Sequence, residues 1–459
     1  MPPVELPFAT QAGESSVTQN SRETLVNMYS EIETSGKRLL RRQRAGLRLL
    51  LANTGTKRAH EHNDKDGYDY LVIGSGFYRF DGTVLSSSLG TLSSSSGRCW
   101  IIFNDNGDAM ISDGTHGYIW NGTSLATITT PDNVPVGPLA YQGGFGLFSV
   151  PGTGQWYITG VNNFTSVDAL EFATAEAYPD PLLRIFIDHN QAFLGGTRSI
   201  EVWQLTGGAD FPYQPLVNSQ IQRGLAARNA ICSDDNTVFF LGEDKVMYRL
   251  EGYRPVRFST GSVERAIQRV SEASLSDCEM FSYTSGGQKF IVLRCPNELT
   301  VQVNLATGLP NWCETYGYAD WQILGSAGGI SRYFSTPSGI VALDETLNQD
   351  EGGIMRRLAR GAPGYANDRN LSVGKFTLDA EVGRAPIGVE PQVMLRFAPD
   401  GETFGTIRSR TLGMTGEYKH KAVWRNLGSG LRPTIEVAMT DNCRFSIMST
   451  FVEAEAESD

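Results

Sequence analysis

The chain has 459 residues, with 39 Lys and Arg against 50 Asp and Glu and a formal charge of −11. That length accommodates two or three domains around a large core, and the acidic balance excludes a general basic nucleic-acid binder. Fifty Gly and twenty Pro fall short of low complexity, and 10% aromatic residues exclude a disordered chain. Met1 to Ser16 shows no basic segment followed by an apolar one, and no apolar run reaches roughly 18 residues, so neither a secretory signal nor a membrane-spanning helix is expected. The six cysteines, Cys99, Cys232, Cys278, Cys295, Cys313 and Cys443, form no C-x-x-C and are expected as free, buried thiols.

Residues 1–54 read as an N-terminal arm. Six of the twelve residues from Lys37 to Arg48 are basic. They suit either an extended arm with exposed charge or a docking segment for an acidic partner, with Arg38, Arg41, Arg42 and Arg44 as the docking candidates. Residues 55–350 read as short strands separated by Gly, Asn and Asp turns. Seven aromatic or aliphatic runs recur: Phe77–Gly82, Tyr118–Gly122, Trp156–Gly160, Val202–Gly207, Val246–Gly252, Val301–Leu305 and Ile340–Asp344. Their spacing of roughly 40 to 55 residues matches a four-stranded propeller blade, which cannot bury both faces alone. The expectation is an all-β fold: a β-propeller of six or seven blades, its first and last units able to share one blade. Val263, Ala266, Ile267 and Val270 recur at helical spacing behind Ser262 as N-cap, predicting one helix at a blade edge or protruding from it.

Residues 351–372, polar and Gly-rich with Arg356, Arg357 and Arg360, read as a linker. Residues 373–452 carry six short strand patterns and predict a small antiparallel β-sandwich. Residues 453–459 read as a solvated acidic tail.

Chemical motifs mostly lack their required context. Leu71–Gly76 resembles a dinucleotide fingerprint but lacks the third glycine and leads into a strand rather than a helix. His60, Glu61, His62, Asp64 and Asp66 form the densest group of potential metal ligands and are expected in a solvated loop before the first blade. Asn104–Asp108 reads as a hairpin turn rather than a calcium loop, lacking the bidentate Glu. A propeller glycan hydrolase would need two carboxyls about 5–9 Å apart, which spacing alone does not identify. The scattered histidines leave a Ser–His–Asp arrangement open without supporting it. No catalytic residue, metal site or cofactor is assigned.

Several strings carry a specific likeness. They are Asp168–Glu176 followed by Pro179-Asp180, Phe193–Trp203 ending in Thr206-Gly207, Gly224-Leu225-Ala226, Phe239–Gly242 and Tyr253–Thr260. The opening Leu25-Val26-Asn27-Met28-Tyr29-Ser30-Glu31 with Gly46-Leu47 joins them, as do Arg410–Gly413, Gly416–Tyr418 and Val423–Gly428 near the end. In this order they resemble the packaged-DNA-stabilisation proteins of short-tailed bacteriophages, the tail hub or nozzle. At Arg44-Ala45-Gly46-Leu47 the chain departs from the family's more usual Thr-Pro-Gly turn. The resemblance implies a non-enzymatic virion tail protein, made in the host cytoplasm. It further implies a hexameric ring below the portal and its adaptor, holding a tailspike, fibre or needle. Double-stranded DNA would pass its lumen without specific binding. A net-acidic ring repels phosphate, so acidic side chains are expected to outnumber basic ones on that lumen.

Overall fold

The computed structural model describes residues 4–5, 8–13, 23–33, 39–52, 55–165, 167–175, 178–208, 211–325, 333–366 and 369–457. Among these residues the strands form seven radial units and one sandwich. Blade 1 is Lys57–Asn63, Tyr68–Ile73, Gly76–Phe80 and Gly90–Thr91, and blade 2 is Trp100–Phe103, Ala109–Ser112, Gly117–Trp120 and Leu125–Thr127. Blade 3 is Leu139–Gln142, Phe145–Ser149, Gln155–Ile158 and Phe172–Thr174; blade 4 is Leu182–Asp188, Gln191–Gly196, Ile200–Leu205 and Tyr213–Pro215. Blade 5 is Ile231–Asp234, Thr237–Leu241, Met247–Glu251 and Arg254–Arg257; blade 6 is Glu279–Ser285, Gln288–Cys295, Leu299–Asn304 and Pro310–Trp312. Blade 7 is assembled from both ends of this region: Tyr333–Ser335 pairs with Gly339–Asp344, which pairs with Gly46–Ala52, which Gln349–Asp350 then joins in parallel.

A blade buries its two faces only against its neighbours, and the cores follow that rule. One cluster fills each gap between successive blades: Tyr70 and Phe77 with Ile111 and Trp120, then Met110 with Phe148, Trp156 with Trp203, and Val202 with Phe240. Met247 with Leu293 and Phe290 with Val341 continue the cycle, and Leu71, Ile73 and Phe80 with Ile340 close it. The blade 7–blade 1 core is the smallest, with four buried members among the described residues.

The wide interval between blades 5 and 6 holds two helices, α1 (Gly261–Gln268) and α2 (Glu272–Ser276). The helix is predicted correctly, but Thr260 is its N-cap rather than Ser262. It does not protrude: Val263 and Ile267 pack among Phe239, Met247, Ile291 and Leu293 in the core between the two blades.

The sandwich departs from the expected boundaries. Its six predicted strands are present as Leu371–Ala380, Gln392–Ala398, Arg408–Thr411, Ala422–Gly430, Thr434–Met439 and Ser446–Ala456. The segment expected as a free arm supplies the rest. Met28–Ile32 pairs with Leu39–Gln43, which pairs with Ser446–Ala456, and Thr24–Val26 enters the opposite sheet. The expected linker contributes Arg357–Arg360, hydrogen-bonded between Thr24–Val26 and Thr434–Met439. The expected acidic tail is a strand through Ala456, and Glu453 pairs with Lys375 at 2.8 Å; residues 458–459 lie outside the described residues. Thr24–Val26 also pairs with the outermost strand of blade 6, so one nine-stranded sheet runs from the propeller into the sandwich.

Candidate functional site

Three places concentrate polar chemistry: the propeller axis, the closing seam and the junction with the sandwich. The first strands of the blades stand side by side around the axis. They enclose a cavity of about 340 Å³ lined by Glu61, Arg98, Trp100, Tyr141, Arg184 and Ser233 among others. Arg98 of this lining also belongs to a charge network that reaches blade 6. Glu279 receives Arg294 at 3.0 Å and Arg98 at 3.4 Å, and Arg294 also holds Asp320 at 2.9 Å. Asn229 Oδ1 accepts from Trp100 Nε1 at 2.9 Å and from Arg184 Nη1 at 3.0 Å, tying blades 2 and 4 to the entrance of blade 5. Burial, with Arg98 close by, pushes the Arg184 guanidinium down to about 10. The volume is that of a small-molecule pocket, not of a passage for a duplex.

At the seam His60, Glu61 and His62, expected in a solvated loop, lie on the first strand of blade 1, with Asp64 and Asp66 in the turn after it. His60 and His62 both face Asp69: His60 Nε2 lies 2.7 Å from Oδ2, and His62 Nδ1 contacts Oδ1. His60 Nδ1 lies 2.9 Å from Ser335 Oγ of blade 7. Among the described residues no group of three His, Cys, Asp or Glu could hold a metal ion. This Ser–His–Asp string is buried throughout, with Ser335 1%, His60 2% and Asp69 1% exposed. It supplies directional hydrogen bonds where the apolar core between blades is thinnest. The Asn104–Asp108 segment is a hairpin turn, closed by Asn104 N–H donating to Asp108 O at 3.0 Å.

The junction centres on Asn27. Its φ of 54° is a left-handed conformation that Asn tolerates, and it lies between Thr24–Val26 of one sheet and Met28–Ile32 of the other. Asn27 Oδ1 accepts from Arg44 Nε at 2.9 Å and from Glu314 N–H at 3.0 Å, while Nδ2 donates to Arg356 O at 2.9 Å. Arg44 is 1% exposed. It grips Asp350 with Nη1 at 2.9 Å and Nη2 at 2.5 Å, donates to the carbonyls of Ala45 and Glu314, and lies 4.5 Å above the Trp321 ring. One guanidinium thereby ties the N-terminal segment to blades 6 and 7 and to the strand leading out of the propeller. Gly46 follows because a Cβ there would stand 2.4 Å from Gln349 O. Arg357, also fully buried, donates to the carbonyls of Asn348, Asp441 and Cys443, and burial pushes it down to about 10.

Three of the four docking arginines lie among the described residues, and two of those, Arg41 and Arg44, are buried. Arg38 lies outside the described residues. Arg41 is buried and donates from Nε to Phe8 O at 2.7 Å, Arg42 pairs with Glu31 at 2.8 Å, and Arg44 is the junction lock. Charge in a run of strand residues is shared between two faces, and here much of it satisfies buried carbonyls and carboxylates. Asn27, Ser335 and Asp69 were not singled out by spacing. The string Leu25–Glu31 was the available signal, since it spans the residue that switches the chain between sheets.

Residues 4–321 match the family model described as Bacteriophage P22 Gp10, beta-propeller, and residues 362–455 match that of its beta-sandwich. No curated protein matches the chain in sequence. Among solved structures, a streptogramin B lyase aligns at 10% identity and TM-score 0.46, covering 66% of this chain and 98% of the lyase. The type-IX secretion component PorZ of Porphyromonas gingivalis aligns at 12% identity and TM-score 0.40, over 72% of this chain and 44% of PorZ. BBS1N, from a complex with ARL6DN, aligns at 11% identity and TM-score 0.43, over 65% of this chain and 96% of BBS1N. With both family matches lying on the propeller and the sandwich, the chain belongs to the bacteriophage P22 Gp10 family of structural tail proteins that stabilise packaged DNA.

Proposed function

We propose that this chain is a ring subunit of a short virion tail, six copies closing below the portal and its adaptor to continue the DNA channel. In this role it retains packaged DNA and offers attachment to a tailspike, fibre or needle. The observation that carries the reading, beside the family, is the continuous nine-stranded sheet between blade 6 and the sandwich, locked by buried Arg44. Two domains joined by a short linker move independently by default; two domains sharing a sheet and a buried ion pair transmit force as one block. A channel wall held against the pressure of packaged DNA needs such a block.

DNA would run along the axis of the ring and not along the propeller axis, whose cavity is about 340 Å³. Ring contacts are expected to be heterologous and to close by rotation. The net charge of −11 favours a lumen on which phosphate slides. The glycan-hydrolase alternative calls for a pair of carboxylates at the axis, and Glu61 is the one carboxylate among the residues lining its cavity.

The test is the stoichiometry of the purified chain on portal–adaptor complexes, read by electron microscopy and mass measurement. A closed ring of six with an acidic lumen supports the reading. A lone bound copy, no binding, or a ring with a basic DNA-gripping lumen overturns the corresponding part.

A further inference from the structure

We propose that Cys278 and Cys295 are a disulfide-forming pair: a dithiol while the chain is made in a reducing compartment, and a covalent staple across blade 6 once it meets an oxidant. Their Sγ atoms lie 2.6 Å apart, and both residues are 0% exposed. That separation is far inside ordinary sulfur–sulfur contact and a small shift from the roughly 2.05 Å bond. The backbone agrees. Glu279 pairs with Arg294 in the first two strands of blade 6, and one step outward along that register brings Cys278 opposite Cys295.

The pair is covered rather than open. Helix α2 ends immediately before it, with Cys278 N–H donating to Leu275 O at 3.1 Å. The turn after Cys295 is fastened to the same helix: Ser274 Oγ donates to Pro296 O at 2.7 Å, and Ser271 N–H donates to the Glu298 carboxylate at 3.2 Å. The hydrogen bond to Cys295, together with burial, raises the Cys278 thiol well above its ordinary range. The closed form therefore holds thiols rather than reactive thiolates. Reaction requires α2, a helix of five residues, to lift.

The oxidant is a small disulfide such as oxidised glutathione. One cysteine thiolate attacks a glutathione sulfur, forming a mixed disulfide and releasing one glutathione thiolate. The second cysteine thiolate attacks the protein sulfur of that mixed disulfide, forming the Cys278–Cys295 bond and releasing the second glutathione. The two protons lost by the cysteines are taken up by the two glutathione thiolates. The other four cysteines, Cys99, Cys232, Cys313 and Cys443, are free and buried and have no sulfur partner among the described residues.

The test takes the full chain unfolded under reducing conditions, transferred to oxidised glutathione, refolded to equilibrium, then denatured and alkylated. Four of the six cysteines are expected to be alkylated, with one cross-linked peptide joining residues 278 and 295. Cys278→Ser and Cys295→Ser should each leave every remaining thiol alkylatable. Six free thiols in the refolded native chain, or a cross-link to Cys232 in the same core, would overturn the assignment. Timing rests on the virion reading and is tested separately: acid-trapped chain from cells should carry six thiols and chain in released particles four. A native-chain cross-link that is absent from released particles would overturn the timing while leaving the pair itself intact.

Discussion

Replacing Arg44 by Met removes the charge at the junction while keeping most of the side-chain length. Five donated hydrogen bonds disappear, two of them to a carboxylate that is itself only 5% exposed. The carbonyls lose little by comparison. The dominant loss is Asp350, left buried and unpaired, and breaking one side of such a pair costs about 3–5 kcal/mol. For 459 residues unfolding together this corresponds to a fall in Tm of about 4 °C. Arg44→Lys should fall in between, because an ammonium keeps the charge but cannot make the two-pronged contact. Adding Asp350→Asn to Arg44→Met removes the stranded charge and should recover about 2 kcal/mol. Scanning calorimetry is the assay. The native chain and Arg44→Met should each unfold in one transition, the variant's lower by about 4 °C. A single variant within about 1 kcal/mol of the native chain, or strictly additive losses in the double variant, would refute the lock.

Ser335→Ala strands His60 Nδ1 at the thinnest gap between blades and should cost about 1–3 kcal/mol; hydrogen exchange should show the loss first in blades 7 and 1, and uniform loss would contradict the seam. Asn27→Ala combines a left-handed φ with the loss of three side-chain hydrogen bonds and should cost about 2–4 kcal/mol by urea unfolding, with Asn27→Gly losing less. Lys57 Nζ is buried without a hydrogen-bond partner among the described residues, and burial pushes it down to about 8. The unfolded chain then holds a proton that the folded one has lost between about pH 8 and pH 10.5, so this lysine makes stability rise with pH across that window. Lys57→Met should stabilise the chain at pH 7 and flatten the rise; an unchanged slope would contradict the assignment.

The six aromatic or aliphatic runs from Phe77 to Leu305 all fall on the third strand of their blades, which is why a repeat was visible without any alignment. The seventh, Ile340–Asp344, looked weaker because it is a second strand; the third strand of blade 7 is Gly46–Ala52, about 290 residues earlier in the chain. Closure by a distant segment leaves no local pattern, so the N-terminal region read as an arm. The sandwich strands were legible for the opposite reason, each carrying its own alternation between hairpin turns. Burial of Arg41 and Arg44 was not legible, because a basic run looks the same whether its charges meet water or buried carbonyls and carboxylates. Gly224 illustrates a family-like position whose reason is steric: a Cβ there would stand 2.2 Å from the Thr197 backbone carbonyl carbon, in the neighbouring blade.

The most direct test of the tail role is DNA retention in heads assembled without this chain, measured as nuclease-protected DNA after purification. Heads that fill, leak, and hold their DNA when the native chain is added back are the predicted result. Heads that keep their DNA unaided would contradict it and assign closure of the channel to another component.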